Sequence, residues 1–173
     1  IHFFTLAANQ NHPKALNYLG LFNFEGKLMP KNINKAIYYF SLSAQQNNIC
    51  SQYNLGNIYS KGIGIDKNLE KGIYYYTLAA NQNDQYSQFD LGVIYLDIDI
   101  NKALFYLNQS AEQNSIFALH YLGGIYYEGK YVKRNISKAI EYYLKASNLN
   151  DPYSQYNLGC IYNEGKYIKK DID

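Results

Sequence analysis

Disulfide-forming cysteine is almost absent from this 173-residue sequence, which contains only Cys50 and Cys160. The two cysteines lie three of the repeat units described below apart. Neighbouring packed helices are roughly 8–10 Å apart, whereas the two Cα atoms of a disulfide lie within roughly 7 Å of each other. We therefore expect two free thiols and no disulfide.

Long apolar runs and strong net charge are also missing. No apolar run approaches the roughly 20 residues that a membrane helix requires, so the sequence predicts no membrane span. The formal net charge is only +2, whereas a nucleic-acid-binding domain usually carries a concentrated basic face. Nucleic acid is therefore not the expected partner. We expect a soluble protein, with the cytoplasm or an organelle favoured over secretion.

Catalytic and metal-binding motifs are absent as well. No motif places a nucleophile beside a base, and no phosphate-binding loop is present. The histidines, His2, His12 and His120, stand in different repeats without the cysteine or carboxylate spacing of a metal site. The sequence therefore predicts a protein that is not an enzyme and that holds neither a cofactor nor a metal.

What the sequence does contain is one repeated stretch. The segment YNLGNIY at residues 53–59 returns as FDLGVIY at 89–95 and as YNLGCIY at 156–162. The Leu-Gly pair also occurs at 19–20 and 122–123, so successive pairs are separated by 36, 36, 31 and 36 residues. A period of this length is typical of helical solenoids.

Superimposing the copies divides residues 1–173, which we predict to be one solenoid domain, into repeat units. The units are an opening half-unit at 1–11, repeats at 12–47, 48–83, 84–114 and 115–150, and a partial repeat at 151–173. Both ends fall inside a repeat, so we expect the natural protein to be longer in both directions.

Each repeat is predicted to form two helices. In the first helix Ser51, Leu55, Ile58 and Tyr59 form a small or apolar stripe at helical spacing. Glycine costs about 1 kcal/mol relative to alanine inside a helix, so the Leu-Gly glycines are expected to allow close helix packing. The predicted caps are Gly26, Gly62, Gly129 and Gly165 after the first helices, Asn32, Asn68, Asp99, Asn135 and Asp171 before the second helices, and Asn11, Asn47, Asn83, Asn114 and Asn150 after them.

The order of a small residue, Leu-Gly, Tyr, a closing Gly, Asp or Asn, Lys-Ala and an aromatic residue resembles the Sel-1-like repeat family of the tetratricopeptide superfamily. The resemblance covers essentially the whole chain, although Asn23 replaces the usual tyrosine in the first repeat. It implies an all-α fold, a right-handed α/α superhelix of antiparallel helix pairs whose first helices line a concave face. It also implies an adaptor or scaffold without catalytic residues. Some family members are linked to hydrolysis of cell-wall-type amides, but no nucleophile–base pair here supports that activity.

A second stripe of the first helices, at the positions of Cys50, Tyr53, Asn57 and Ser60, lines the groove in related tetratricopeptide repeats, and it is unusually aromatic here. We predict that a protein or peptide partner binds it, because aromatic residues are enriched in interface hot spots. The candidate partner-binding residues are Tyr53, Asn57, Phe89, His120, Tyr127 and Tyr156. Alternatively, these rings pack between adjacent first helices and complete the core. The exposure of Tyr53, Phe89 and Tyr156 distinguishes the two interpretations.

Basic residues recur in the turns between the two helices of a repeat and offer an alternative function, an RNA-binding helical repeat. These residues are Lys27, Lys31, Lys61, Lys67, Lys130, Lys133, Arg134, Lys166, Lys169 and Lys170. Glu25, Glu128 and Glu164 occupy the same turns and partly neutralise them, which favours a solvated edge.

One repeat is five residues shorter than the others between Leu91-Gly92 and Lys102-Ala103. We expect the deletion to shorten the loop and to leave the Leu-Gly and Lys-Ala pairs of the two helices intact. Asp97 and Asp99 replace the basic turn there. Either they form an acidic notch that admits a partner, or the change has no function and reflects the general tolerance of surface loops to insertions and deletions.

Overall fold

The computed structural model describes residues 1–164 of the chain. Within that range all regular secondary structure is α-helical, and the helices form a solenoid of helix pairs, which confirms the predicted all-α fold. The helices are α1 (His2–Asn9), α2 (Pro13–Glu25), α3 (Ile33–Ala44), α4 (Ile49–Lys61), α5 (Leu69–Ala80), α6 (Gln85–Tyr95), α7 (Ile100–Glu112), α8 (Ile116–Glu128), α9 (Ile136–Asn148) and α10 (Pro152–Glu164).

Packing divides the chain into two compact units, Ile1–Ser87 and Gln88–Asp173, with the boundary inside α6. We refer to them as the N-terminal unit and the C-terminal unit. The assignment of residues 1–173 to one domain stays a prediction.

The predicted N-caps and the glycine C-caps are confirmed wherever the structure describes them, whereas the asparagines predicted as C-caps adopt the left-handed conformation two or three residues after the last helical residue. Asn32, Asn68, Asp99 and Asn135 accept hydrogen bonds from the backbone N–H groups of Lys35, Lys71, Lys102 and Lys138. Gly26, Gly62 and Gly129 have φ angles of 75°, 70° and 72°, and Asn11, Asn47, Asn83, Asn114 and Asn150 have φ angles of 60–66°. This left-handed region suits glycine and, after it, asparagine. The predicted caps Gly165 and Asp171 lie outside the described residues.

In the N-terminal unit the Leu-Gly glycines let first and second helices approach each other closely. Leu55 is fully buried beside Phe40 in one core cluster. A Cβ atom on Gly20 would lie 2.5 Å from the ring of Phe40, and one on Gly56 would lie 2.5 Å from the ring of Tyr76. Since real Cβ contacts are longer than this, only glycine fits at these two positions.

The C-terminal unit repeats this packing with its own residues. A Cβ atom on Gly92 would lie 2.5 Å from Leu107 Cγ, and one on Gly123 would lie 2.6 Å from ring atoms of Tyr143. Both Leu107 and Tyr143 are buried. At Gly159 no described atom lies within 4 Å of such a Cβ atom. Close packing therefore explains four of the five Leu-Gly glycines.

The lysine of three of the four Lys-Ala or Lys-Gly pairs has a packing role that the sequence did not reveal. In three repeats its ammonium group lies 4.9–5.4 Å from the ring centroid of the first-helix tyrosine, which stacks on a second-helix tyrosine at 5.8–5.9 Å. The trios are Lys71–Tyr59–Tyr75, Lys102–Tyr95–Tyr106 and Lys138–Tyr126–Tyr142. Such cation–π contacts contribute about 0.5–1 kcal/mol at exposed sites. In the first repeat Asn23 takes the tyrosine position and donates its side-chain N–H to Leu19 O at 2.8 Å.

The short repeat differs from the others in its helix as well as in its loop. Helix α6 has 11 residues where α4 has 13, and residues 96–99 connect α6 to α7 where residues 62–68 connect α4 to α5. The deletion therefore shortens the loop, as predicted, and leaves the Leu-Gly and Lys-Ala pairs inside their helices, but it also shortens the first helix by two residues. Asp99 caps α7, whereas Asp97 is exposed.

Candidate functional site

Two of the six predicted partner-binding residues, Tyr53 and Asn57, lie on α4 in the N-terminal unit. The half-buried ring of Tyr53 packs against Tyr76 and Tyr86, with ring centroids 5.9 Å and 6.1 Å away. Asn57 donates its side-chain N–H to Tyr53 O at 3.3 Å and accepts a hydrogen bond from the Lys61 ammonium group. These contacts place both side chains at the surface of the helix, partly covered by neighbours.

The other four residues belong to the C-terminal unit. Phe89 is half-buried and contacts Phe117 and Tyr121, with ring centroids 5.9 Å and 5.7 Å away. His120 and Tyr127 on α8 are also half-buried, whereas Tyr156 on α10 is 71% exposed. None of the three rings chosen to distinguish the interpretations is buried, so they remain available as anchors. Partner binding by these residues stays a prediction.

Three exposed rings of the first helices form an outer row, one helical turn from the predicted residues Phe89, His120 and Tyr156. This outer row, at the position of Cys50, includes Tyr86, Phe117 and Tyr153, which are 49%, 61% and 72% exposed. Sequence reasoning placed these residues in the stripe but did not select them. The signal was present, because each stands three residues before a ring or histidine on the same helix, one turn closer to its N-terminus.

His120 makes a polar contact that the sequence did not predict. Its Nδ1 atom lies 3.1 Å from Asp151 Oδ2 and 3.0 Å from Ser154 Oγ, and Asp151 also accepts the Ser154 backbone N–H at 2.8 Å. In the N-terminal unit the equivalent pair is Asn17 and Ser51, whose hydroxyl donates to the Asn17 side-chain oxygen at 2.8 Å. In both units the two paired polar residues are 34 positions apart in the sequence, and this recurring separation was the signal from which the contact could have been predicted.

This histidine cluster does not have the geometry of a hydrolytic triad. In such a triad the carboxylate and the serine contact different imidazole nitrogens, whereas Asp151 and Ser154 both contact Nδ1 of His120. Ser154 is also fully buried. Burial opposes ionisation of Asp151, but hydrogen bonds from Ser154 and the nearby His120 outweigh it and lower the pKa of the carboxyl group. The cluster therefore ties α8 to the start of α10.

Beside the cluster lies a cavity of about 380 Å³ on α8. Four tyrosines, Tyr121, Tyr127, Tyr131 and Tyr143, contribute to its lining together with Glu128. Burial, and to a smaller extent Glu128, raise the pKa of Tyr143 to about 12, although a hydrogen bond with Asn157 acts in the opposite direction. The Tyr143 hydroxyl therefore remains protonated to a higher pH than an ordinary tyrosine.

Four of the basic side chains in the described turns, Lys27, Lys31, Lys130 and Arg134, contact a ring or a carboxylate. Lys27 pairs with Glu25 at 3.0 Å, and the ammonium group of Lys31 lies 5.7 Å from the ring centroid of Phe24. Arg134 lies 5.3 Å from the ring centroid of Tyr127 and donates from Nε to the Tyr127 carbonyl oxygen at 2.9 Å. These contacts do not favour an RNA-binding edge. Lys166, Lys169 and Lys170 lie outside the described residues.

Among residues 1–164 no cluster of three or more histidine, cysteine or acidic residues is arranged to hold a metal ion. In the same part of the chain no helix is long and apolar enough to cross a membrane. Both Cys50 and Cys160 are free thiols.

The model of the Sel1 repeat family matches residues 13–48, 51–84, 85–115, 116–151 and 152–173. The matched segments therefore follow the predicted repeats to within a few residues. The Sel1 repeat fold is generally a protein-interaction scaffold. None of the curated proteins matches this sequence.

Solved structures of Sel1 repeat proteins have the same fold. A protective antigen present in uropathogenic Escherichia coli strains, described as displaying an SLR fold, matches with a TM-score of 0.89 and 27% identity over 95% of this chain and 36% of its own. A Sel1 repeat protein from Oxalobacter formigenes matches with a TM-score of 0.85 and 28% identity over 99% of this chain and 72% of its own. The chain thus spans only about a third of the length of the first protein, 36%.

Proposed function

Because the chain belongs to the Sel1 repeat family, we propose that it is a protein-interaction scaffold that holds a segment of a partner protein against its first helices. Proteins of this family are generally non-catalytic helical scaffolds. The observation that carries the proposal is the exposed aromatic surface of the C-terminal unit, where Phe117, Tyr153 and Tyr156 are 61%, 72% and 71% exposed.

Three exposed rings on two first helices are costly to leave in water and favourable to cover. Covering one such ring removes on the order of 100 Å² of apolar surface from water, which corresponds to about 2.5 kcal/mol. Aromatic residues are accordingly enriched in protein interfaces and their hot spots. The partner segment would contact the exposed rings of the outer row directly, and the half-buried residues Phe89, His120 and Tyr127 would line the surface beneath it.

Considered by itself, the N-terminal unit offers the same mode of binding, with Tyr53 and Asn57 at the half-buried positions and Tyr86 as the exposed ring. The proposal assigns the chain no catalytic role. His120 and Ser154 hold helices together in it, because Asp151 and Ser154 contact the same nitrogen of His120 and Ser154 is fully buried.

Affinity purification with mass spectrometry on a matched pair of triple variants tests the proposal. The test variant carries Phe117→Ala, Tyr153→Ala and Tyr156→Ala, and the control carries Tyr38→Ala, Tyr74→Ala and Phe105→Ala, which remove second-helix rings that are 60%, 58% and 56% exposed. We expect a specific partner to be lost only from the test variant, with helical circular dichroism retained by both. A partner retained by the test variant, or lost equally from both, would contradict binding through the first helices.

A further inference from the structure

Two adjacent glycines on α8, Gly123 and Gly124, differ in what surrounds them. A Cβ atom on Gly123 would lie 2.6 Å from ring atoms of Tyr143, so the helix packing requires glycine there. A Cβ atom on Gly124 would meet only the Tyr143 hydroxyl oxygen, at 3.7 Å, which is an ordinary contact. Glycine inside a helix is nevertheless unfavourable. Packing therefore gives no reason for Gly124.

Gly124 instead lines the cavity of about 380 Å³ described above. The equivalent residues of the three preceding repeats, Leu21, Asn57 and Val93, all carry side chains at this position. A side chain on residue 124 would project into the space that the cavity occupies. The absence of a side chain at this one position thus keeps the cavity open.

The residues around this cavity form an aromatic cage with a negative charge. Tyr121, Tyr127 and Tyr131 line it together with Tyr143, and Glu128 also contributes to the lining. In the second repeat the residues equivalent to Tyr127, Glu128 and Tyr131 are a serine, a lysine and a glycine, at positions 60, 61 and 64. The second repeat therefore lacks the aromatic and acidic residues that line the cavity in the fourth repeat.

Electrostatics around the cavity favour a cation. Burial raises the pKa of the Tyr121 hydroxyl, and Tyr131, Asp97 and Glu128 raise it further, whereas the positive charge of Lys130 acts in the opposite direction. Two of the chain's own cations already use these rings from outside: the Lys130 ammonium group lies 4.5 Å from the Tyr131 ring centroid, and the Arg134 guanidinium lies 5.3 Å from that of Tyr127. Neither of these two side chains lines the cavity. Tyrosine rings attract cations through their negative faces, and an adjacent carboxylate strengthens the attraction.

We propose that this cavity, opened by Gly124 and lined by tyrosines and Glu128, binds the cationic end of a lysine or arginine side chain of the partner segment. The inference rests on the proposed function, since it names the side chain that anchors the partner. Charge complementarity selects this occupant, because an acidic side chain would be repelled by Glu128 and a purely aliphatic one would gain nothing from its charge, whereas a cation adds to the attraction that Lys130 already makes.

Short peptides test the cavity without knowledge of the natural partner. The probes are acetyl-Gly-Lys-Gly-amide and acetyl-Gly-Arg-Gly-amide, with norleucine and citrulline as the neutral counterparts. Titration of the ¹⁵N-labelled 173-residue chain should move the amide signals of Gly124, Glu128 and Tyr131 with the charged peptides only. Equal shifts with the neutral peptides, or no shifts at millimolar peptide, would overturn the proposal.

Two variants and a matched control locate the site. Gly124→Leu, which introduces the residue found at position 21, should abolish the shifts without lowering the thermal midpoint. Glu128→Gln should weaken binding of the lysine peptide by about fivefold, the effect of one exposed charge pair. Glu25→Gln changes the equivalent glutamate of the first repeat, which pairs with Lys27 instead, and should have no effect. Undiminished binding to Gly124→Leu, or equal weakening by both glutamine variants, would place the peptide elsewhere.

The two proposals fail in different experiments. If the charged peptides do not bind but the triple alanine variant of Phe117, Tyr153 and Tyr156 loses its partner, the scaffold function stands and the cationic anchor is wrong. If the peptides bind at Gly124 but the triple variant keeps its partner, the cavity is a cation site and the aromatic surface is not where the partner binds.

Discussion

Adjacent alanine substitutions at Gly123 and Gly124 should change stability in opposite directions. Both substitutions add one methyl group within the same turn of α8, so both gain about 1 kcal/mol of helix propensity. They differ in what the methyl group meets. At position 123 the new Cβ atom would lie 2.6 Å from two ring atoms of Tyr143, against an optimum of about 3.5–4.0 Å between carbon atoms. At position 124 the nearest atom is 3.7 Å away.

The cost at position 123 depends on whether Tyr143 can move. Its side chain is 3% exposed and lies in a core cluster with Leu158 and Ile161, so the ring or the helix has to shift by about 1 Å. Overpacking of this kind costs about 1–3 kcal/mol. We therefore expect Gly123→Ala to lower the free energy of unfolding by about 0–2 kcal/mol and Gly124→Ala to raise it by up to about 1 kcal/mol.

Urea denaturation followed by circular dichroism at 222 nm measures both variants against the parent chain. The midpoints should differ while the slope with urea stays the same, because neither change alters the surface exposed on unfolding. Gly123→Ala with a midpoint equal to or above that of Gly124→Ala would refute the packing argument. A lowered midpoint for Gly124→Ala would show that packing, rather than the cavity, requires that glycine.

Three further predictions follow from particular contacts. Gly92→Val should destabilise the chain by about 1–3 kcal/mol through overpacking, because a Cβ atom there would lie 2.5 Å from Leu107 Cγ; an unchanged denaturation midpoint would contradict this. Ser87→Ala should leave the free energy of unfolding unchanged or raise it, because the buried Ser87 hydroxyl has no hydrogen-bond partner in the described structure. Ser154→Ala should lower it by about 1 kcal/mol, because it removes a contact to His120. Equal denaturation midpoints for the two variants would contradict this distinction. The Tyr143 hydroxyl, with its pKa raised from 10.0 to about 12, contributes stability below pH 10 that is lost as the pH rises toward 12. Denaturation at pH 9 and pH 12 should therefore show that the stability of the parent chain relative to Tyr143→Phe falls by up to about 3 kcal/mol, and a constant difference would contradict the raised pKa.

Helix boundaries and caps could be predicted because they depend on residues close together in the chain. Asn32 bonds to the N–H three residues later, and Asn47 adopts its left-handed conformation at the end of its own helix. The role of the Leu-Gly glycines was also accessible, since glycine at a regular helical position requires a compensating gain. The lysine stacks were not, because Lys71 lies over Tyr59 only after both helices of the repeat have packed.

The candidate site was predicted at the level of a face but not of individual residues. The sequence placed Phe89 and Phe117 on one stripe, yet which ring is exposed depends on how the following first helix covers the preceding one. Phe89 is half-buried against Phe117, while Phe117 is 61% exposed. Periodicity along one helix cannot distinguish these two outcomes, because it carries no information about the neighbouring helix.

By itself the sequence determined the repeat length, the helix pairs, their caps and the family, since each follows from residues that recur at fixed positions within one unit. Only the tertiary structure decided that Ser154 meets His120, that Phe117 and Tyr153 are exposed, and that Gly124 opens a cavity that four tyrosines help to line. These features involve side chains from successive helices, whose contacts depend on the sizes of several residues together. A periodic pattern specifies that such helices pack, but the individual side chains decide what space remains between them.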